Sequence, residues 1–160
     1  MHLAAARPDL VKRLVLVITG AELSANGRTM AERTYANISN GRLRPAYRDM
    51  YTLGATSALS RAVMGAIGWA VGPRLSPPPE DPTIVLSEIE AWQAFDGTRI
   101  APSVACPTLV IGTQLDPLFE PNYAYHLATH IPGSKAVTIP GLGHAFPSTA
   151  IEGHISPFLD

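Results

Sequence analysis

Two short apolar runs, residues 108–111 and 136–139, are rich in β-branched side chains and stopped by Gly or Pro, and a helix-like segment lies between them. This pattern predicts strand, helix, strand over 108–112, about 122–130 and 135–139. Because both faces of each run are apolar, the strands are expected to be buried on both sides, as in a parallel sheet covered by helices. A third run, 11–19, contains Leu14, Val15, Leu16, Val17 and Ile18 in unbroken succession and predicts another fully buried strand. Before it, Leu3, Ala4, Ala5 and Ala6 favour a helix that Pro8 must stop; no Ser, Thr, Asp or Asn caps its start, so it resembles the end of a helix.

Between the first strand and the last two, the periodicity is helical. Helices are expected over 29–38, ending at Asn40-Gly41, over 44–53, and over 57–71. The last of these is apolar around most of its circumference and should be buried or line an apolar cavity. Met64, Gly65, Gly68 and Trp69 could belong to a substrate pocket, but packing against the main domain is the preferred reading. Residues 72–82 hold five prolines in eleven positions and predict an extended connector. A helix then starts at Asp81-Pro82, with Val85, Ile89, Trp92 and Phe95 as one buried stripe and Glu88 and Glu90 off it in solvent. A terminal helix over 148–159 has Ile151, Ile155, Phe158 and Leu159 on its apolar side, weakened by Gly153 and Pro157.

Composition narrows the function classes. The 160 residues are 46% hydrophobic, with a mean hydropathy of +0.12, so one domain with a core is expected and disorder is excluded. Net charge is −1, but residues 1–48 carry eight Lys/Arg against three Asp/Glu and the remainder four against ten. With only Tyr35 and Tyr47 as aromatics in the basic part, the asymmetry is read as a solvated face and no nucleic-acid partner is expected. The single cysteine, Cys106, agrees with a reducing, cytoplasmic compartment and sits where a strand entrance wants a small apolar residue. No run is long enough to span a bilayer, so no membrane partner is expected.

The chemistry lies just past the ends of the last two strands. In open α/β sheets, ligands bind in the loops beyond the carboxyl ends of the strands. Asp116 follows the first and His144 the second, the latter in a turn whose Gly141 and Gly143 should permit a tight backbone. The pattern Gly112-x-x-x-Asp116, then Gly141-x-Gly143-His144-x-x-Pro147, resembles the last third of an α/β-hydrolase. In that family nucleophile, acid and histidine follow one another along the chain, each on a loop after a strand. The resemblance implies that Asp116 and His144, 28 residues apart, are the acid and the histidine of a catalytic triad. Glu22, just beyond the first strand, is the rival acid. His2, His126, His130 and His154 lack such a setting.

The resemblance also implies an organisation: residues 1–22 as one helix end and one strand of the hydrolase core, 23–100 as a helical cap over the active site, and 101–160 as the C-terminal core. The fold class expected is α/β, a partial parallel sheet of about three strands with the cap inserted. No Gly-x-Ser-x-Gly occurs, and Ser24, Ser57, Ser60, Ser76, Ser103 and Ser148 have no elbow context. The nucleophile is thus expected upstream of Met1, leaving this chain inactive alone. Serine there would imply hydrolysis of a small hydrophobic ester-like substrate, and aspartate an epoxide hydrolase or haloalkane dehalogenase. A non-catalytic protein that binds apolar ligands or pairs with another subunit is the alternative, through self-association along the exposed edge of strand 11–19. No metal-ligand spacing or nucleotide-binding glycine motif is present, so no cofactor is expected.

Overall fold

The computed structural model describes residues 1–78 and 80–160; of the proline-rich stretch, position 79 lies outside the described residues. Three parallel strands, β1 (Leu14–Val17), β2 (Thr108–Thr113) and β3 (Lys135–Ile139), pair in the order β1-β2-β3, with Val15 opposite Leu109 and Val110 opposite Ala136. Alternation along β2 sends Val110 to one face and Leu109 and Ile111 to the other. The Val110 face packs on Ala4 of α1 (His2–Ala6) and on Ala124 and Leu127 of α6 (Pro121–His130). The opposite face packs on Ile151, Phe146 and the Ile155 and Phe158 side of α7 (Glu152–Leu159).

Only β2 is buried at every residue; β1 and most of β3 are half-buried. The expectation of fully buried strands therefore holds for the central strand alone. A neighbour on both sides and helices on both faces cover β2, whereas β1 and β3 have one strand neighbour each. The first strand is also shorter than the apolar run 11–19. It stops where Ile18 turns to a φ of 47°, with its amide still donating to Ile111 O at 2.7 Å.

Four helices follow β1: α2 (Ala25–Ser39), α3 (Leu43–Tyr51), α4 (Ala58–Leu75) and α5 (Pro82–Ala94). The hydroxyl of Ser24 accepts from Gly27 N at 3.0 Å, which starts α2 four residues before the expected position. Its end comes at Asn40-Gly41 as read from the sequence, with Gly41 at a φ of +66°. Asp81 caps α5 by accepting from Thr83 N at 2.9 Å, and Pro82 occupies the first turn. Of the α5 stripe, Ile89 is buried but Trp92 is 48% exposed.

Helix α4 departs from expectation twice. It runs through Pro73 to Leu75, into the stretch read as a connector. Proline lacks the N–H that would bond the carbonyl of Trp69; instead that carbonyl accepts from Arg44 of α3 at 3.4 Å, which limits the cost of the interruption. Its apolar circumference is also not buried: Leu59 is 75% exposed and Val63 49%. What it buries is a line of glycines, Gly65, Gly68 and Gly72, against Tyr47, Arg48, Tyr51 and Thr52. A Cβ at Gly68 would stand 2.5 Å from Tyr47 O, so close helix approach, not hydrophobic burial, decides which face turns inward.

Gly68→Ala should therefore force α4 off α3 and cost about 1–3 kcal/mol in denaturant unfolding. Gly153→Ala in α7, where nothing lies within 4 Å of the added Cβ, should instead stabilise by about 0.5–1 kcal/mol. Equal effects of the two substitutions would contradict this account of the α3–α4 contact.

Candidate functional site

The loops leaving β2 and β3 are stapled together before either reaches its functional side chain. Gln114 N donates to Ile139 O at 3.0 Å, Leu115 N to Leu142 O at 2.8 Å, and Gly141 N to the side-chain oxygen of Gln114 at 2.9 Å. Buried Thr113 adds a hydroxyl bond to Gly143 O at 2.9 Å. Gly141 has a φ of +71°, the left-handed backbone expected of it. Gly143 serves differently: a Cβ there would lie 3.1 Å from Leu53 O and 3.2 Å from Gly54, so the position needs close approach by the turn that follows α3. That turn also binds the next residue, Leu53 O accepting from His144 N at 2.9 Å.

These constraints bring the two predicted residues into contact. His144 Nδ1 lies 2.9 Å from Asp116 Oδ2, with the carboxylate side chain 1% exposed and the imidazole 22%. The other carboxylate oxygen accepts from the amides of Leu118 at 2.8 Å and Phe119 at 3.1 Å. An ionised carboxylate only accepts, so Nδ1 carries the ring proton and Nε2 holds the lone pair. The Phe119 ring stacks on the imidazole with centroids 6.2 Å apart. The pair is thus an oriented base whose free nitrogen is the chemically available atom.

Two cavities meet at this imidazole. One, of ≈ 230 Å³, is lined by Ile18, Gly20, Glu22, Phe95 and Phe119; the other, of ≈ 260 Å³, by Met30, Met50, Leu53 and Ile89 among others. Leu23, Trp92, Leu118 and His144 belong to both walls. The lining is mostly apolar. Ile18, a β-branched residue in a left-handed conformation that costs of order 1–3 kcal/mol, stands at the edge of the first.

The other candidates lie elsewhere. Glu22 lines the first cavity, but its carboxylate is engaged by Arg28 at 2.5 Å. Ser24 caps α2, and Ser57 and Ser60 form the capping box of α4. Among the described residues, Asp116 is the only side chain hydrogen-bonded to the His144 ring, and no three His, Cys, Asp or Glu side chains gather as a metal site. Cys106 is buried in the core at the entrance to β2. The amides of Leu118 and Phe119 were legible in principle, since Asp-Pro opens a turn whose following N–H groups face the carboxylate. Nothing in the sequence pointed to Leu53, whose contribution is a backbone carbonyl.

Solved structures decide the architecture. An enol-lactonase from Burkholderia xenovorans LB400 superposes with a TM-score of 0.72 over 98% of this chain and 59% of its own, at 20% identity. The chain has an α/β-hydrolase fold. At that identity the likeness speaks for the fold. Curated relatives with short matches include the polyketide synthase ThaQ of Burkholderia thailandensis, 34% identical over 83 residues, covering 50% of this chain and 4% of that protein. The rhodomycin D methylesterase DnrP of Streptomyces peucetius is 46% identical over 44 residues, covering 28% of this chain and 15% of its own. No family model matches. In each comparison the chain spans less than two thirds of the other protein's length.

Replacing Asp116 by Ala strands two amides and frees the imidazole. Within this α/β-hydrolase fold the loss should be about 2–4 kcal/mol in denaturant unfolding, since three bonds to one buried carboxylate disappear together. Nitrogen-15 NMR of the His144 ring should show Nδ1–H as the dominant neutral tautomer in the parent and a mixture in Asp116→Ala. A mixed tautomer in the parent would contradict the assignment.

Proposed function

We propose that Asp116 and His144 are the acid and base of a nucleophile–histidine–acid triad that hydrolyses a small hydrophobic ester-like substrate, the nucleophile lying outside these 160 residues. The observation that carries this reading is the 2.9 Å contact between a buried carboxylate and an imidazole that opens onto two apolar cavities. In this mechanism Asp116 holds Nδ1–H, while Nε2 takes the proton from the attacking group and returns it to the leaving oxygen. The attack forms a covalent intermediate that water releases through the same base. Residues 23–100 act as a cap, their Leu53, Met50 and Trp92 closing the apolar space over the strand ends. The hydrolytic names of the enol-lactonase and the methylesterase support the ester-like class. No helix among the described residues is long and apolar enough to cross a membrane, and the cytoplasmic setting remains part of this reading.

Joining this chain to a segment that supplies a serine elbow should yield hydrolysis of short p-nitrophenyl esters. His144→Ala and Asp116→Asn should each lower that rate by about 10⁴-fold. The chain alone should show no turnover above buffer. Turnover by the chain alone that disappears in His144→Ala would overturn the external nucleophile; full activity of the joined protein with His144→Ala would overturn the triad.

A second reading, pairing with another subunit, draws on the open edge of β1, which bonds to β2 on one side only. Unpaired strand edges template association. Light scattering should then report dimers or larger species that dissociate when Val15, on this edge, is replaced by Pro, and a monomer across the concentration range would remove this reading.

A further inference from the structure

A second recess adjoins the cavity at His144, and its chemistry is opposite. It has a volume of ≈ 920 Å³ and lies among α2, α3 and α4, with Arg33, Arg48 and Arg61 contributed one from each helix. The carboxylate that lines it is Asp49, 5% exposed, whose oxygens face Arg33 Nε at 2.7 Å and Arg48 Nε at 3.5 Å. Arg33 is hydrogen-bonded through Nε, whereas Arg48 stands at ion-pair distance only. Among the described residues their terminal amino groups have no hydrogen-bond partner, and the Arg61 side chain has neither an ion pair nor a hydrogen bond. Three cations against one carboxylate leave two positive charges in excess, on planar groups whose paired N–H donors match a carboxylate or phosphate. The hydroxyls of Thr29 and Thr52 are already committed to backbone carbonyls, so the arginines supply the free donors.

The recess shares a wall with the candidate site. Met30 and Asp49 line both it and the ≈ 260 Å³ apolar cavity that His144 also lines. Among the described residues, apart from Asp49, the one carboxylate on the apolar cavity is Glu88 of α5, an exposed residue that does not line the basic recess. Resting on the reading of His144 as the reacting end, we propose that the substrate is an amphiphile: an ester-like group at His144, an apolar body past Met30, and a carboxylate or phosphate held by Arg33, Arg48 and Arg61. The arginines fix the far end, and the cavity between selects the body by its apolar lining. Screening by salt weakens such a half-exposed charge contact.

Calorimetric titration of the chain with monomethyl suberate, dimethyl suberate, octyl phosphate and inorganic phosphate tests this, because binding needs no nucleophile. The monoanionic ester should bind at least about tenfold tighter than the neutral diester at low salt, with the advantage falling as salt rises. Arg48→Ala with Arg61→Ala should abolish that preference, while Arg7→Ala, an exposed cation that lines neither cavity, should leave it intact, and binding is read without any turnover. The failure of the hydrolase reading and the failure of this one are thereby separable. Octyl phosphate binding tighter than the suberate ester would assign the head group as phosphate, and the reverse as carboxylate. Equal binding of ester and diester, a preference that survives the double arginine variant, or inorganic phosphate binding as tightly as octyl phosphate would overturn the proposal.

Discussion

One carboxylate, buried to 1% exposure and bonded to the histidine 28 residues later, sets the terms for the second half of this chain. A charge removed from water is tolerable only when its lone pairs are occupied, and Asp116 meets that condition with two peptide amides and one imidazole. Each partner imposes geometry. The amides require the backbone after Asp116 to fold back on its side chain, and the imidazole requires the loop after β3 to arrive in register. The staples from Thr113, Gln114 and Leu115 to residues 139–143 supply that register before His144 is reached.

The helical layer takes part in the same constraint. Leu53 O holds the amide of His144, and Leu118 O accepts from Ser24 N at 3.1 Å at the entry to α2. A Cβ at Gly27 would lie 2.6 Å from that same Leu118 carbonyl, so α2 packs directly on the acid's loop. Helices and strand-end loops are therefore one mechanical unit around the imidazole. The apolar cavities are the space left between them, bounded by Leu23, Trp92 and Leu118 from three different segments.

Much of this was legible from residue order because the relevant forces are local. Strands over 108–112 and 135–139, the Asp81-Pro82 helix start and the Asn40-Gly41 stop follow from β-branching, capping and the left-handed tolerance of glycine. Asp116 and His144 stood out for their position after such strands. Misreadings arose where a non-local partner decides. Helix α4 is expected to be buried or to line an apolar cavity; its glycines meet Tyr47 and Tyr51, Ala62, Ala66 and Trp69 line a recess, and Leu59 and Val63 face out. Pro73 was read as a breaker, and a cation from α3 now binds the carbonyl it leaves free. The pattern of β1 is as apolar as that of β2 and does not itself mark an edge; only the resemblance to the hydrolase core suggested an exposed edge for strand 11–19. The basic surplus of the first 48 residues was visible as a sum, but Arg33, Arg48 and Arg61 converge only through helix packing.

Among the described residues two aspartates are buried, and their partners differ. Asp116 is surrounded by neutral donors, so its negative charge is not cancelled by a fixed cation and can act on the ring proton of His144. Asp49 is met by guanidiniums on both oxygens, at 2.7 and 3.5 Å, and a third arginine stands in the same recess. Its single charge faces more than one cation: Arg33 is hydrogen-bonded through Nε and Arg48 is at ion-pair distance, and among the described residues their outer donors are unbonded. The same side chain thus accepts from amides and an imidazole in one place and faces guanidiniums in the other, and Met30 and Asp49 line both the basic recess and the apolar cavity at His144.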